Sequence, residues 1–272
     1  MVKRKIIQFC TALLYNGNLP GFWQGKLWQG STKSVCLPGL NCYSCPGALG
    51  ACPVGALQSS LSGVFLRFPF YVIGTLLLFG LLLGRLICGW ACPFGLIQEL
   101  LYKLPTPKIH RSAFTAQLAK LKYLIAFVFV LLLPIAYYLV TGTGVPAFCK
   151  FICPAGTLEA ALPLTIVNEN LRSSLGALFN WKLLLMLIIL GASVFIYRPF
   201  CRFLCPLGAF YSFFQRISLF GIKVDAAKCI HCNACMRKCL MDCRHVGDRE
   251  CIACGECRNV CPTNAISIGK KL

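Results

Sequence analysis

Residues 88–98 read CGWACPFGLIQ, and the pattern returns at 201–211 as CRFLCPLGAFY and at 149–159 as CKFICPAGTLE. A fourth, shortened copy is Cys52-Pro53-Val54-Gly55-Ala56-Leu57-Gln58, with Ala48 where the leading cysteine would stand. Upstream of it, Cys36, Cys42 and Cys45 supply thiols instead. Cysteines four apart sit about one helical turn apart and can face one centre. Proline after the second cysteine restricts the backbone there and can open the next helix. The glycine permits close approach of the backbone to whatever the sulfurs hold. The stretch that follows, such as Leu96 to Leu104, suits an amphipathic helix in a membrane interface. A lone Cys-x3-Cys in an apolar helix is ordinary small-residue packing. Three copies and a partial fourth, all at the ends of apolar runs, argue for metal ligation.

Those apolar runs set the rest of the fold. Residues 123–140 are eighteen uncharged, mostly apolar positions, enough for a transmembrane helix. Phe68 to Cys88 is a second run, charged only at Arg85, and Trp181 to Tyr197 is a third. The weakest is Ile6 to Gln29, where an apolar start gives way to Asn16, Gly17, Asn18 and Pro20. Trp23 and Trp28 suit a membrane interface. No secretory cleavage pattern follows that apolar start, so it is read as retained. With 57% hydrophobic and 13% charged residues, and a mean hydropathy of +0.71, the chain is neither soluble-globular nor disordered. Its 20 cysteines sit in a chain too long and apolar for a small secreted disulfide scaffold. The net charge of +19 would suggest nucleic acid on a soluble chain. Here the basic residues flank the apolar runs, which the positive-inside rule explains without any nucleic acid.

Basic residues gather at 3–5, 93–122 and 198–228, whereas loop 30–63 carries only Lys33, and loop 143–180 only Lys150 and Arg172. Both termini are therefore expected in the cytoplasm, and the number of crossings is even. The expected fold is mostly α: a four-helix transmembrane bundle of two parallel repeats, with spans at about 6–29, 68–88, 120–142 and 181–198. A small α+β two-cluster ferredoxin domain follows, dividing the chain into 1–218 and 219–272. The rival topology has three spans and an interfacial N-terminal helix.

This topology sorts the thiols by side. Cys88, Cys92, Cys201 and Cys205 gather at the cytoplasmic face. Cys45, Cys52, Cys149 and Cys153 gather at the outer face, with Cys42 or Cys36 as alternative ligands. Four thiolates are what a [4Fe–4S] cluster requires, though a tetrahedral sulfur site also accepts zinc. A disulfide is possible only in the outer set, for example Cys36 with Cys42. Cys10 reads as a small apolar filler. Backbone N–H groups around Gly55 and Gly89 are candidates to hydrogen-bond the clusters. Arg85 either offsets the inner cluster's charge or snorkels from a helix end. The clusters must be inset toward the midplane, because the hydrocarbon core is about 30 Å thick.

The C-terminal segment carries the most specific signal. Cys229-x2-Cys232-x2-Cys235-x3-Cys239 is followed by Cys251-x2-Cys254-x2-Cys257-x3-Cys261-Pro262. In this spacing the fourth cysteine of each run ligates the other run's cluster. Cys229, Cys232, Cys235 and Cys261 then hold one cluster, and Cys251, Cys254, Cys257 and Cys239 the second. The first run has Leu240 in place of proline, and Cys243 is an alternative to Cys239. Only 23 residues separate Cys205 from Cys229, so this domain must dock close beneath the inner cluster.

The Cys-x3-Cys-Pro motifs at span ends, followed by a two-cluster ferredoxin, resemble the membrane-bound polyferredoxins of the quinol dehydrogenase NapH type and of the NosR membrane domain. A cytochrome oxidase assembly protein is similar. The resemblance implies electron transfer through four [4Fe–4S] clusters in a multi-pass protein of the cytoplasmic membrane. It implies redox partners on both faces, whether flavoprotein, ferredoxin or cytochrome, with a quinone as a further candidate, and it assigns no catalytic residue. Two departures leave donor and acceptor open: there is no large outer flavin-binding domain, and the Cys36/Cys42/Cys45 cluster is added. The other reading is a redox assembly factor that supplies electrons for maturation of a metalloprotein. Haem b is unexpected, because His110, His231 and His245 all fall outside the spans.

Overall fold

In the computed structural model, residues 2–62, 69–109, 112–241 and 243–271 are described. Phe68, where the second expected span begins, and His110 lie outside them. The chain forms α1 (Val2–Tyr15), α2 (Pro20–Gln24), α3 (Pro53–Leu61), α4 (Phe70–Leu83), α5 (Leu86–Trp90) and α6 (Pro93–Leu101). Next come α7 (Ala113–Thr141), α8 (Ala147–Phe151), α9 (Pro154–Val167), α10 (Glu169–Ser173), α11 (Ala177–Phe195), α12 (Pro199–Phe203) and α13 (Pro206–Phe214). The C-terminal part holds β1 (Phe220–Val224), α14 (Ala234–Lys238) and β2 (Ile266–Lys270).

Among the described residues, α7 and α11 are long and apolar enough to cross a membrane. Only 17% of the most apolar window of each is buried inside the protein. A core helix of a soluble protein would be mostly covered, whereas here Leu124, Phe127, Leu131, Leu184, Leu187 and Ile188 face outward. The other two expected spans are shorter than the apolar runs that suggested them. Helix α1 stops at Tyr15, ahead of Asn16-Gly17-Asn18, and α4 stops at Gly84, whose φ of 51° is outside helical space. Fourteen residues rise about 21 Å, short of a hydrocarbon core of about 30 Å.

The helices that begin at Cys-Pro bury their first turns, and α9 becomes exposed by Ile166. Helix α6 packs between α1 and α11, and α13 packs on α4 and α7. Helix α3 also packs on α4 and α7, and α9 packs on α11 and α2. The interfacial helix expected after Cys92 is therefore an interior one. Phe94, Leu96, Gln98 and Glu99 are all buried. The reason is Glu99, whose carboxylate is tied to Arg4 at 2.8 Å and Arg198 at 2.5 Å, and accepts from Tyr197 Oη at 2.6 Å.

A single apolar core runs from Leu40 and Val54 through Phe94, Phe148 and Phe200 to Ile222, Ile252 and Ile266. The C-terminal part is closed by β1 and β2, antiparallel from Phe220↔Lys270 to Val224↔Ile266. This pairing joins the two ends of the cysteine-rich segment and holds it against the helices.

Candidate metal centres

The repeat has one local geometry. Cys52, Cys92, Cys153 and Cys205 are each extended, and each precedes a helix whose first residue is proline. The sulfur occupies the place of a capping oxygen. Gly208 N–H donates to Cys205 Sγ at 3.4 Å, whereas the side chains of Cys52, Cys92 and Cys153 accept no capping hydrogen bond. A helix N-terminus is partially positive, so each site is suited to a thiolate. The leading cysteines Cys88, Cys149 and Cys201 are each the third residue of a five-residue helix, α5, α8 and α12. The chain breaks between the two cysteines, so they belong to successive helices rather than to adjacent turns of one helix. Cys153 N–H bonds Phe148 O and Cys205 N–H bonds Phe200 O, both at 2.9 Å.

Cys88, Cys92, Cys201 and Cys205 line one cavity, together with Pro38, Gly39, Leu40, Ile87, Leu207 and Gly208. Gln98 Nε2 donates to Cys201 Sγ at 3.1 Å, while its Oε1 accepts from Phe200 N–H at 3.1 Å. Arg85 donates to Cys201 O at 3.5 Å, and Arg198 to Cys88 O. Both arginines are fully buried, so Arg85 does not snorkel. Burial, then the neighbouring Cys201 and Cys88 thiols, push the Cys92 thiol up to about 12. A metal bound here must displace protons.

Cys42, Cys52, Cys149 and Cys153 line a second cavity. Cys45 is the expected member of this foursome, with Cys42 or Cys36 as alternatives, and the cavity takes Cys42. A turn closed by Cys45 N–H to Cys42 O at 3.0 Å separates the two thiols, and Cys45 Sγ donates to Asn16 Oδ1 at 3.4 Å. Cys36 is buried elsewhere, its N–H bonded to Tyr71 Oη at 3.2 Å. No disulfide forms among the described residues. Asn41 lines the cavity, and its Nδ2 is buried with no protein acceptor. Such a donor costs about 1–3 kcal/mol unless something accepts from it, and a cluster sulfur is a suitable acceptor.

One recurring contact was not anticipated from the residues. The polar side chain six positions after the second cysteine reaches across to the partner unit's backbone. Gln58 Oε1 accepts from Cys149 N–H at 3.2 Å, and Glu159 Oε2 accepts from Cys42 N–H at 2.7 Å. Gln98 does the same at Phe200. The signal was in the repeat itself, whose copies end in Gln58, Gln98 and Glu159. The copy at 201–211 ends instead in Tyr211, which is fully buried and donates to Pro38 O at 3.0 Å.

In the C-terminal part, Cys229, Cys232, Cys235 and Cys261 line a third cavity. Cys239, Cys251, Cys254 and Cys257 line another, together with Cys235 and Cys243. The last cysteine of each run is thus carried to the other run's cavity. Residues 249–253, which carry Cys251, lie on 85–90, which carry Cys88. Trp90 Nε1 donates to Ala253 O at 2.9 Å, and Arg85 donates to Arg249 O at 3.1 Å and to Glu250 Oε2 at 2.6 Å. Lys122 also pairs with Glu250. Burial opposes the charge on Glu250, but Arg85 and Lys122 outweigh it and hold the carboxyl at about 2. Gly89 serves this contact rather than a sulfur. Its N–H bonds Arg85 O at 3.3 Å, and a Cβ there would stand 2.0 Å from Ile252 O.

Among the described residues, no three Cys, His, Asp or Glu side chains converge closely enough to hold one metal ion. Zinc needs all its sulfurs about 2.3 Å from a single point. A cubane presents four separate irons, one to each thiolate, and each of the four cavities is lined by at least four thiols.

Comparison with known proteins agrees with this chemistry. A 4Fe–4S binding domain family matches residues 66–112, 123–162 and 181–225, each match containing one complete Cys-x3-Cys-Pro unit. A second 4Fe–4S binding domain family matches 246–267, and the Cys36–Cys52 stretch lies outside both. Two Methanocaldococcus jannaschii proteins, MJ0750 and MJ0749, are 33% and 32% identical over 69% and 68% of this chain. The alignments cover 73% and 64% of those proteins. The putative electron transport protein YccM of Escherichia coli is 26% identical over 67% of this chain and half of its own length. NirI, NosR, MauN and NapH are further relatives. No solved structure matches the chain significantly.

Proposed function

The chain belongs to the polyferredoxin family of the NapH and NosR type, and we propose that it conducts electrons across the cytoplasmic membrane between a cytoplasmic ferredoxin-like pair of centres and a redox partner on the outer face. Bound in the four cavities, [4Fe–4S] clusters supply one-electron chemistry. Cys88, Cys92, Cys201 and Cys205 hold the inner membrane cluster, and Cys42, Cys52, Cys149 and Cys153 the outer one. The two ferredoxin foursomes are Cys229, Cys232, Cys235, Cys261 and Cys239, Cys251, Cys254, Cys257.

One observation carries this reading. Leu40 lines both the inner and the outer thiol cavity, so a single residue's thickness separates them at one point. The segment from Cys36 to Cys45 threads between the repeats, with Tyr211 bonded to it at Pro38. Insetting both centres in this way removes the long gap that clusters at opposite surfaces would leave. Arg85 and Arg198 compensate charge at the inner thiols, and Gln98 fixes the orientation of Cys201. The contact between Gly89 and Ile252 sets the ferredoxin part against the inner site.

Lipid covers the outward faces of α7 and α11, and α1 with α2 and α4 with α5 complete the other two crossings. Both termini lie on the cytoplasmic side, where the basic segments gather. Partners are a flavoprotein, ferredoxin or cytochrome at either face, with a quinone as an alternative donor.

The test uses purified protein in sealed vesicles containing a low-potential ferredoxin, with an impermeant electron acceptor outside. The acceptor is reduced when the protein is present, and Cys205→Ala abolishes that transfer while the ferredoxin-part clusters stay reducible. Transfer that survives Cys205→Ala would refute the route.

A further inference from the structure

Six thiols line the cavity beside Ile252, although a cubane takes four. Cys235 also lines the neighbouring cavity with Cys229, Cys232 and Cys261, which leaves five. Resting on the reading that a [4Fe–4S] cluster occupies this cavity, we propose that Cys239 and Cys243 are interchangeable ligands of the same iron.

The placement of Cys243 supports this. It is only 4% exposed, and it lines the same cavity as Cys239 and Cys251. It is therefore part of the thiol wall, not a filler behind it. Cys239 is not locked in place. Its counterpart Cys261 is followed by Pro262, whereas Cys239 is followed by Leu240, so no proline ring restricts its backbone. The Cys239 thiol instead reaches Met241 O at 3.3 Å, a contact it can surrender. Three residues separate the two cysteines, which keeps both at one corner of the cavity.

The exchange balances without a co-reactant. The iron–sulfur bond to Cys239 breaks and one to Cys243 forms. The proton of the incoming Cys243 thiol passes to the departing Cys239 thiolate. No electron is gained or lost. The consequence is a centre that keeps its iron when either thiol is oxidised. This is the ferredoxin centre that adjoins the inner membrane site, so its loss would cut the route at its junction.

The test compares full-length wild type with Cys239→Ala, Cys243→Leu, Cys239→Ala/Cys243→Leu and, as a control, Cys254→Ala. All are purified anaerobically and read by iron content and by low-temperature EPR after reduction. Each of the two single variants should keep the wild-type iron content, and Cys239→Ala should show an altered signal. The double variant and Cys254→Ala should each lose about a quarter of the iron, one cubane of four. Loss of that iron in Cys239→Ala alone, or in Cys243→Leu alone, overturns interchangeability, as does full retention in the double variant. If wild type itself shows no ferredoxin-part cubanes, the underlying reading fails instead, and the two failures are told apart by that sample.

Discussion

Glu250 carries the most exposed consequence of the docking geometry. It is the residue before Cys251, and its carboxylate sits between Arg85 at 2.6 Å and Lys122, with Tyr123 Oη donating at 3.3 Å. Both cations are fully buried. Glu250→Ala leaves them without their shared counter-charge, and removing one partner of a buried ion pair costs about 3–5 kcal/mol. At about 1.4 kcal/mol per factor of ten, docking of residues 249–253 on 85–90 should weaken by about two to three and a half powers of ten. Hydrogen exchange at the amides of 249–253, measured in detergent or nanodiscs with clusters intact, reports the opening. The variant should exchange faster by that factor, and Glu250→Gln, which keeps hydrogen bonds but loses charge, should fall between. Combining Glu250→Gln with Lys122→Gln should cost less than the sum of the two alone, because they share one interaction. Exchange within about 0.5 kcal/mol of wild type, the range of an ordinary surface substitution, refutes the clamp.

Gly89→Ala should separate the same surfaces, since the added Cβ meets Ile252 O at 2.0 Å. Overpacking of this kind costs about 1–3 kcal/mol, and the expected readout is loss of magnetic coupling between reduced inner and ferredoxin centres with iron content unchanged. Cys42→Ser should lose the outer cluster, whereas Cys45→Ser should keep it, as read by iron analysis. Gln98→Leu removes the donor to Cys201 Sγ at 3.1 Å. A hydrogen bond to cluster sulfur favours the reduced, more negative form, so the inner midpoint potential should fall by on the order of 50 mV in a redox titration followed by EPR.

Much of this was legible in spacing. Sulfur positions relative to proline are local chemistry, so the C-terminal runs and the Cys-x3-Cys-Pro units could be read directly. The crossing of Cys239 and Cys261 between cavities follows from the same spacing. The span lengths were less legible, because a hydropathy window registers Phe68 to Cys88 as continuous and does not register the backbone break at Gly84. The choice of Cys42 over Cys45 depends on a turn at 42–45 and on Asn16, twenty-six residues before Cys42. Gly89 reads from the sequence as a donor to cluster sulfur, but what approaches it is Ile252, far along the chain. The threading of Pro38 to Leu40 between the two membrane sites is likewise a long-range outcome. No local pattern encodes it, and it is the feature that brings those sites together.

The central claim is that two thiol foursomes within the helices, beyond the two in the ferredoxin part, each hold a cubane. Iron and acid-labile sulfide on anaerobically purified full-length protein, with Mössbauer spectra of the same sample, test it most directly. The account predicts about 16 irons per chain, all in cubanes, falling to about 12 in Cys88→Ala or Cys153→Ala. About 8 irons in wild type, unchanged by either substitution, would contradict it.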